Sequence, residues 1–143
     1  MNAEVKVIVD SRERNASITK RLEALGAIIH VETAPVGDYI LSDRVAIERK
    51  TVADLQSSIL NGRLFDQLAR LKAAYQFPIL LIEGDMSEFS LGSNISKGLI
   101  AAACIDYGVS VISSSSPEET SEIVYYMAKH EQSLGKRQIS MKG

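Results

Sequence analysis

Val45-Ala46-Ile47 reads as a buried strand, and it runs without interruption into three charges, Glu48-Arg49-Lys50. A strand made only for packing rarely ends this way. In extended backbone the side chains alternate, so Ala46, Glu48 and Lys50 point to one face and Val45, Ile47 and Arg49 to the other. Nine residues separate Glu48 from an upstream Gly37-Asp38, and three separate Lys50 from Asp54. The pattern therefore asks for a sheet whose strand ends carry chemistry.

The residue types indicate which chemistry. Two or three carboxylates can hold a hard divalent cation, which keeps several waters and accepts phosphate oxygens. Such an ion polarises a phosphoryl group and makes a bound water more acidic, and a pair of ions can serve both attacking and leaving oxygens. Lys50 can hold the water or the developing charge, and Arg49 and Arg12 can grip phosphate bidentately. Asp38 stands just before the strand expected to pair with residues 44–50. Asp54 opens the next helix, and Asp10 ends the first strand. Taken singly these are ordinary: Glu-x-Lys is most often a solvated strand edge, and Asp54 a dipole-compensating acid. Their combined spacing is far more specific. It leaves one-metal and two-metal action equally open.

Periodicity and caps predict the elements. Strands are expected over 4–10, 28–34, 39–41, 44–50, 79–83 and 109–113. Helices are expected over 18–25, capped by Asn15 or Ser17 and closed by Gly26; over 51–61, capped by Thr51 and stopped by Gly62; and over 63–75 and 94–107. Ser116-Pro117-Glu118-Glu119 starts a last helix that runs to about Gln132. Helices interleaved with apolar strands give an α/β fold, a central mixed β-sheet flanked by helices on both faces. The domain spans residues 1–132, and residues 133–143 read as a polar tail or the start of a linker.

With 143 residues, one domain of this size buries about 68–70% of its unfolded surface. The longest apolar run, Leu99 to Ile105, is too short for a membrane span, and no secretory signal opens the chain. The single Cys104 rules out an internal disulfide and reads as a small buried residue in a reducing compartment. The localisation expected is therefore cytoplasmic. A net charge of −2 argues against a nucleic-acid partner until its distribution is considered. Residues 44–72 hold six Lys/Arg against three Asp/Glu, and residues 83–122 hold seven acids against one lysine. One face can thus attract phosphate while another repels it.

Four segments together resemble the nuclease domain of the XPF/Hef family of structure-specific endonucleases. They are Val9-Asp10-Ser11-Arg12-Glu13, Val36-Gly37-Asp38-Tyr39, Glu48-Arg49-Lys50-Thr51-Val52-Ala53-Asp54-Leu55 and Gly62-Arg63-Leu64-Phe65-Asp66-Gln67. The resemblance covers about residues 4–132 and is nearest to the archaeal members. It implies a restriction-endonuclease-like nuclease core and Mg²⁺ or Mn²⁺ as cofactor, with Asp10, Asp38 and Glu48 as the metal-site acids. It further implies that Lys50 is catalytic, that Arg12, Arg49 and Asp54 complete the site, and that Arg63, with Arg12 and Arg49, contacts DNA. Glu13 matches without an evident role.

The resemblance also implies a homodimer through the C-terminal half. Ile95, Leu99, Ala102 and Ala103, then Ile123, Tyr126 and Met127, supply apolar helix surface for it, or else for an internal core. Branched DNA is the expected partner, with a helicase or a sliding clamp as a further one and no membrane. The family's tandem helix-hairpin-helix module is not expected within this length. The function implied is metal-dependent hydrolysis of branched DNA, at 3′ flaps and forks near the single-strand/double-strand junction, in repair or stalled-fork processing. Two other classes compete: a non-catalytic DNA-binding or dimerisation module, and a phosphate-responsive signalling domain. The second leaves Glu48 and Lys50 unexplained.

Overall fold

The computed structural model describes residues 4–13 and 15–133. The chain runs β1 (Val5–Asp10), α1 (Ala16–Leu25), β2 (Ala27–Glu32), β3 (Tyr39–Ile40), β4 (Val45–Thr51), α2 (Val52–Leu60), α3 (Leu64–Ala74), β5 (Phe77–Glu83), α4 (Ser93–Ala101), β6 (Ser110–Ser114) and α5 (Pro117–Ser133). The expected order of elements is therefore observed, and all of the expected tail except Ser133 lies outside the described residues.

One six-stranded sheet has the order β2-β1-β3-β4-β5-β6. The short β3 is antiparallel to both β1 and β4, while the outer pairs are parallel. A two-residue strand thus joins two parallel halves, which is what makes the sheet mixed. Alternation sorts the side chains cleanly. Val5, Val7, Val9, Val45, Ile47, Ile79 and Leu81 pack under α1 and α5 against Ile18, Leu22, Val124 and Ala128. On the other face Leu80 and Ile82 meet Leu55, Leu64 and Leu68 of α2 and α3, and Ile8, Ile40 and Ala46 meet Leu71 and Tyr75.

The caps behave as their residue types dictate. Asn15 accepts from the amides of Ser17 and Ile18, and Gly26 closes α1 at φ +111°. Thr51 caps α2 by accepting from the Asp54 amide. Strand β5 begins earlier than expected, at Phe77. Pro78 is tolerated inside it because β6 pairs only from Ile79 onward, so no neighbour on that side requires its missing N–H.

The helix expected over 94–107 departs from regularity. It is α-helical to Ala101 and then widens into a π turn over Ala102–Asp106. The turn directs Ala103 into the core and leaves Ile105 80% exposed. Cys104, expected to be buried, is exposed for the same reason. Leu99, expected on a dimer surface, is instead a core residue at 4% exposure, packed in the same cluster as Leu55, Leu68 and Ala103. Ala102 is half-buried. Of that helix, Ile95 and Ile100 face out. Among the described residues no helix is long and apolar enough to cross a membrane.

Candidate active site

The site follows from strand register. Asp10 donates its amide to the Asp38 carbonyl at 2.9 Å, and Asp38 donates its own to the Ile47 carbonyl at 2.9 Å. Continuing the β1–β3 and β3–β4 pairings by one residue sets Asp38 beside Asp10 on one side and Glu48 on the other. Three carboxylates therefore form a row across adjacent strands. Alternation puts all three, with Lys50, on the α2–α3 side of the sheet.

Gly37 explains its own presence beside Asp38. Its φ is +90°, and an added Cβ would meet the Ala46 Cβ at 3.3 Å. Only glycine turns the chain here while lying against β4.

The carboxylates are not equivalent. Asp10 is 4% exposed and already engaged: Oδ2 accepts from Arg12 Nε at 2.9 Å and Oδ1 from the Ala34 amide at 3.0 Å. The same bond to Asp10 holds the Arg12 guanidinium above its usual range, and Arg12 also donates to the Ala34 carbonyl. Asp38 accepts from the Arg49 amide at 2.8 Å. Burial raises Asp38 well above the usual carboxylate range, and the adjacent Glu48 adds to this, with the Arg49 amide opposing. Burial also raises Glu48, against the pull of Lys50, whose Nζ lies 3.9 Å from Glu48 Oε2. Asp38 and Glu48 thus form a desolvated pair that favours holding a proton between them in place of two bare charges.

Arg49 points through the sheet to the opposite face. Its guanidinium donates to Glu83 at 3.0 and 2.6 Å and to Glu13 at 3.2 Å. Thr120, in the first turns of α5, donates to the same Glu83 at 2.6 Å. Burial alone would raise Glu83, but the bonds from Arg49 and Thr120 outweigh it and lower its pKa. Tyr39 lies in the core on this side, its phenol raised by burial and by Glu13. The sequence reading left Glu13 without a role and missed Glu83 and Thr120. The available signal was that Ile79, Leu81 and Glu83 alternate onto the face of Arg49.

Two limbs of one cleft meet at the carboxylates. One, of about 390 Å³, is lined by Arg12, Glu13, Asn15, Asp38, Glu48, Arg49 and Asp54. The other, of about 280 Å³, shares Arg12, Asp38 and Glu48 and adds Asp10, Gln67 and Arg70. Asp54 thus returns to the cleft as expected. Arg63 lines neither limb; its backbone and Nε are tied to Asn61 Oδ1 at 3.2 Å. Among the described residues no three Asp, Glu, His or Cys side chains are gathered closely enough to hold a metal ion. The pair Asp38 and Glu48 nonetheless fits one: two adjacent oxygen donors facing a cleft, disfavoured as bare anions, are a ligand set for a hard cation that keeps its waters.

On the α5 side, Ile123, Tyr126 and Met127 line a broad groove of about 790 Å³ with Phe77 and Ile112, and Arg44 lies over the Phe77 ring at 4.9 Å. Ile123 and Met127 are half-buried and Tyr126 is 59% exposed.

Sheet order and the carboxylate row define an α/β domain of the restriction-endonuclease-like type. A family model, the ERCC4 domain, matches residues 9–127, and the chain belongs to that family, the XPF/Hef nuclease family. It is 37% identical over 129 residues to the 3′-flap repair endonuclease Xpf of Saccharolobus solfataricus, covering 87% of this chain and 55% of that protein. It is 40% identical over 139 residues to a Methanocaldococcus jannaschii protein provisionally named an ATP-dependent RNA helicase, covering 96% of this chain and 17% of the other. The solved structure of XPF from Aeropyrum pernix in complex with DNA superposes with a TM-score of 0.84 at 31% identity, over 92% of this chain and 66% of that one. The chain therefore spans about half of the first of these relatives and about a sixth of the second.

Proposed function

We propose that this domain is a Mg²⁺- or Mn²⁺-dependent endonuclease that hydrolyses branched DNA, at 3′ flaps or forks, near the single-strand/double-strand junction. The observation that carries the proposal is the row Asp10–Asp38–Glu48 across three adjacent strands, with Lys50 on the same face. The flap and repair activities in the names of its relatives support it, as does the DNA-bound state of a structural neighbour.

Asp38 and Glu48 would hold the ion, with Asp10 the third member of the row. The ion supplies Lewis-acid stabilisation of the phosphoryl oxygens and a more acidic bound water. Lys50, buried beside Glu48, offers a fixed positive charge where negative charge develops, in surroundings that screen it poorly. Arg12 has one edge on Asp10 and its side chain 62% exposed, so it can also meet a phosphate. Arg49 is sequestered by Glu83 and Glu13. We therefore assign it to holding β4, and with it the Glu48–Lys50 segment, in register. Self-association through the groove lined by Ile123, Tyr126 and Met127 belongs to the same reading, while Ile95 lies on α4, across the sheet from that groove.

The test is cleavage of a labelled 3′-flap or fork with Mg²⁺ or Mn²⁺, compared with Lys50→Ala and a linear duplex. Metal-dependent cutting near the branch that Lys50→Ala abolishes is the expected result. No cutting where the fork is demonstrably bound would overturn it in favour of a binding module.

A further inference from the structure

Gln67 sits on α3 in the wall of the cleft, and its Oε1 is buried with no hydrogen-bond partner among the described residues. An amide oxygen left this way loses its hydration without a replacement bond, and native proteins rarely leave one without reason. Such an oxygen calls for a partner from outside the chain, an ordered water, an ion or a bound ligand. One turn further along α3 stands Arg70, whose only ion pair among the described residues is with Asp66 at 3.1 Å, both side chains well exposed. A pair in that setting contributes little, so Arg70 is free to take a better anion.

Beyond Arg70 the cleft does not end. A further hollow of about 410 Å³ continues it, sharing Pro35, Val36 and Arg70 and adding Ala73 and Ala74. Its lining is small and mostly apolar. From the carboxylates outward the surface thus offers an unpartnered amide, then a guanidinium, then an apolar shelf. That succession matches one nucleotide of a DNA strand: hydrogen-bonding edges, a phosphate, and a deoxyribose with its base.

We propose that Gln67, Arg70 and the shelf made by Pro35, Val36, Ala73 and Ala74 bind the nucleotide next to the scissile phosphate. The proposal rests on the nuclease reading above and adds the direction in which the strand leaves the carboxylates, across α3. Arg70 takes the flanking phosphate, exchanging Asp66 for it. The Gln67 amide satisfies its buried oxygen by pairing with that nucleotide or with its ordered water. Arg63, on the same helix but outside the cleft, takes no part.

Fork binding by the full chain, followed by fluorescence anisotropy in EDTA across a salt series, tests this together with cleavage in metal. Arg70→Ala removes one phosphate contact and lowers the slope of log K against log salt by about one. Neutralising single phosphates as methylphosphonates weakens wild-type binding at one position beside the cut, and Arg70→Ala is indifferent at that position. Gln67→Leu weakens binding about tenfold, the scale of one hydrogen bond, with circular dichroism confirming the fold. An unchanged salt slope in Arg70→Ala, with the wild-type methylphosphonate pattern, overturns the subsite while leaving the nuclease reading intact. A wild-type protein that neither binds nor cuts the fork overturns both.

Discussion

Arg49 and Glu83 join the two halves of the site: the guanidinium on β4 meets the carboxylate ending β5 at 2.6 and 3.0 Å, while the Arg49 amide holds Asp38 at 2.8 Å. One residue thus orients a cleft carboxylate with its backbone and anchors its own strand with its side chain. Both partners of the ion pair are nearly inaccessible, with side chains 10% and 6% exposed. Removing one partner of such a pair strands the other charge. Glu83→Ala should destabilise the fold by about 3 kcal/mol, partly offset by Glu13, whereas Glu83→Gln keeps a hydrogen bond and costs less. Urea midpoints of the two variants check this. Because Glu83 is lowered, its stabilising contribution is present above the usual glutamate value and is lost as pH falls below it. The difference between wild type and Glu83→Gln should therefore shrink in acid.

Asp38 should show the opposite sign. Its folded pKa is raised by burial, so between the two values the folded state keeps a proton that the unfolded chain releases. Stability on this account falls as pH climbs from the usual aspartate range through the raised value. Asp38→Asn should then stabilise the protein at neutral pH, by ~1.4 kcal/mol for each unit of the shift, while abolishing metal-dependent cleavage. A thermal melt of this variant at or below the wild-type Tm would contradict it.

Metal affinity should follow the same titration. An ion bound by Asp38 and Glu48 must displace the proton they favour, so affinity rises with pH and binding releases protons. Calorimetric titration with Mn²⁺ at about pH 5.5 and about pH 8, in buffers of different ionisation enthalpy, should show tighter binding and net proton release at the higher pH. Asp38→Asn should lose both.

Gly37 is required by geometry. Gly37→Ala would place a Cβ against Ala46 at 3.3 Å on a backbone with φ of +90°. The strain should cost about 1–2 kcal/mol and displace Asp38, so cleavage should fall more than the urea midpoint suggests.

The groove beside α5 predicts self-association. A charge at its rim should oppose burial against a second copy, so Tyr126→Asp or Ile123→Asp should shift the light-scattering mass toward the 15.6 kDa of one chain. Tyr126, at 59% exposure, is the cleaner test because its replacement disturbs no core.

The sequence by itself determined the succession of strands and helices, the caps at Thr51 and Gly26, and the acids Asp10, Asp38, Glu48 and Asp54 of the cleft, leaving Asn15 and Ser17 open as the first cap and Gln67 and Arg70 unread. These depend on local periodicity and on turn chemistry, which act over a few residues. Glu48 and Lys50 share a face simply because side chains alternate in an extended strand, and motif spacing added Asp10, Asp38 and Asp54. Only the tertiary structure decided which strands are neighbours and therefore what each charge meets. The short β3 sets Asp10, Asp38 and Glu48 in one row. It is the register of β4 on β5 that brings Arg49 to Glu83, and the packing of α4 that buries Leu99 while its π turn exposes Cys104. Those outcomes depend on contacts between residues tens of positions apart, which no local pattern records.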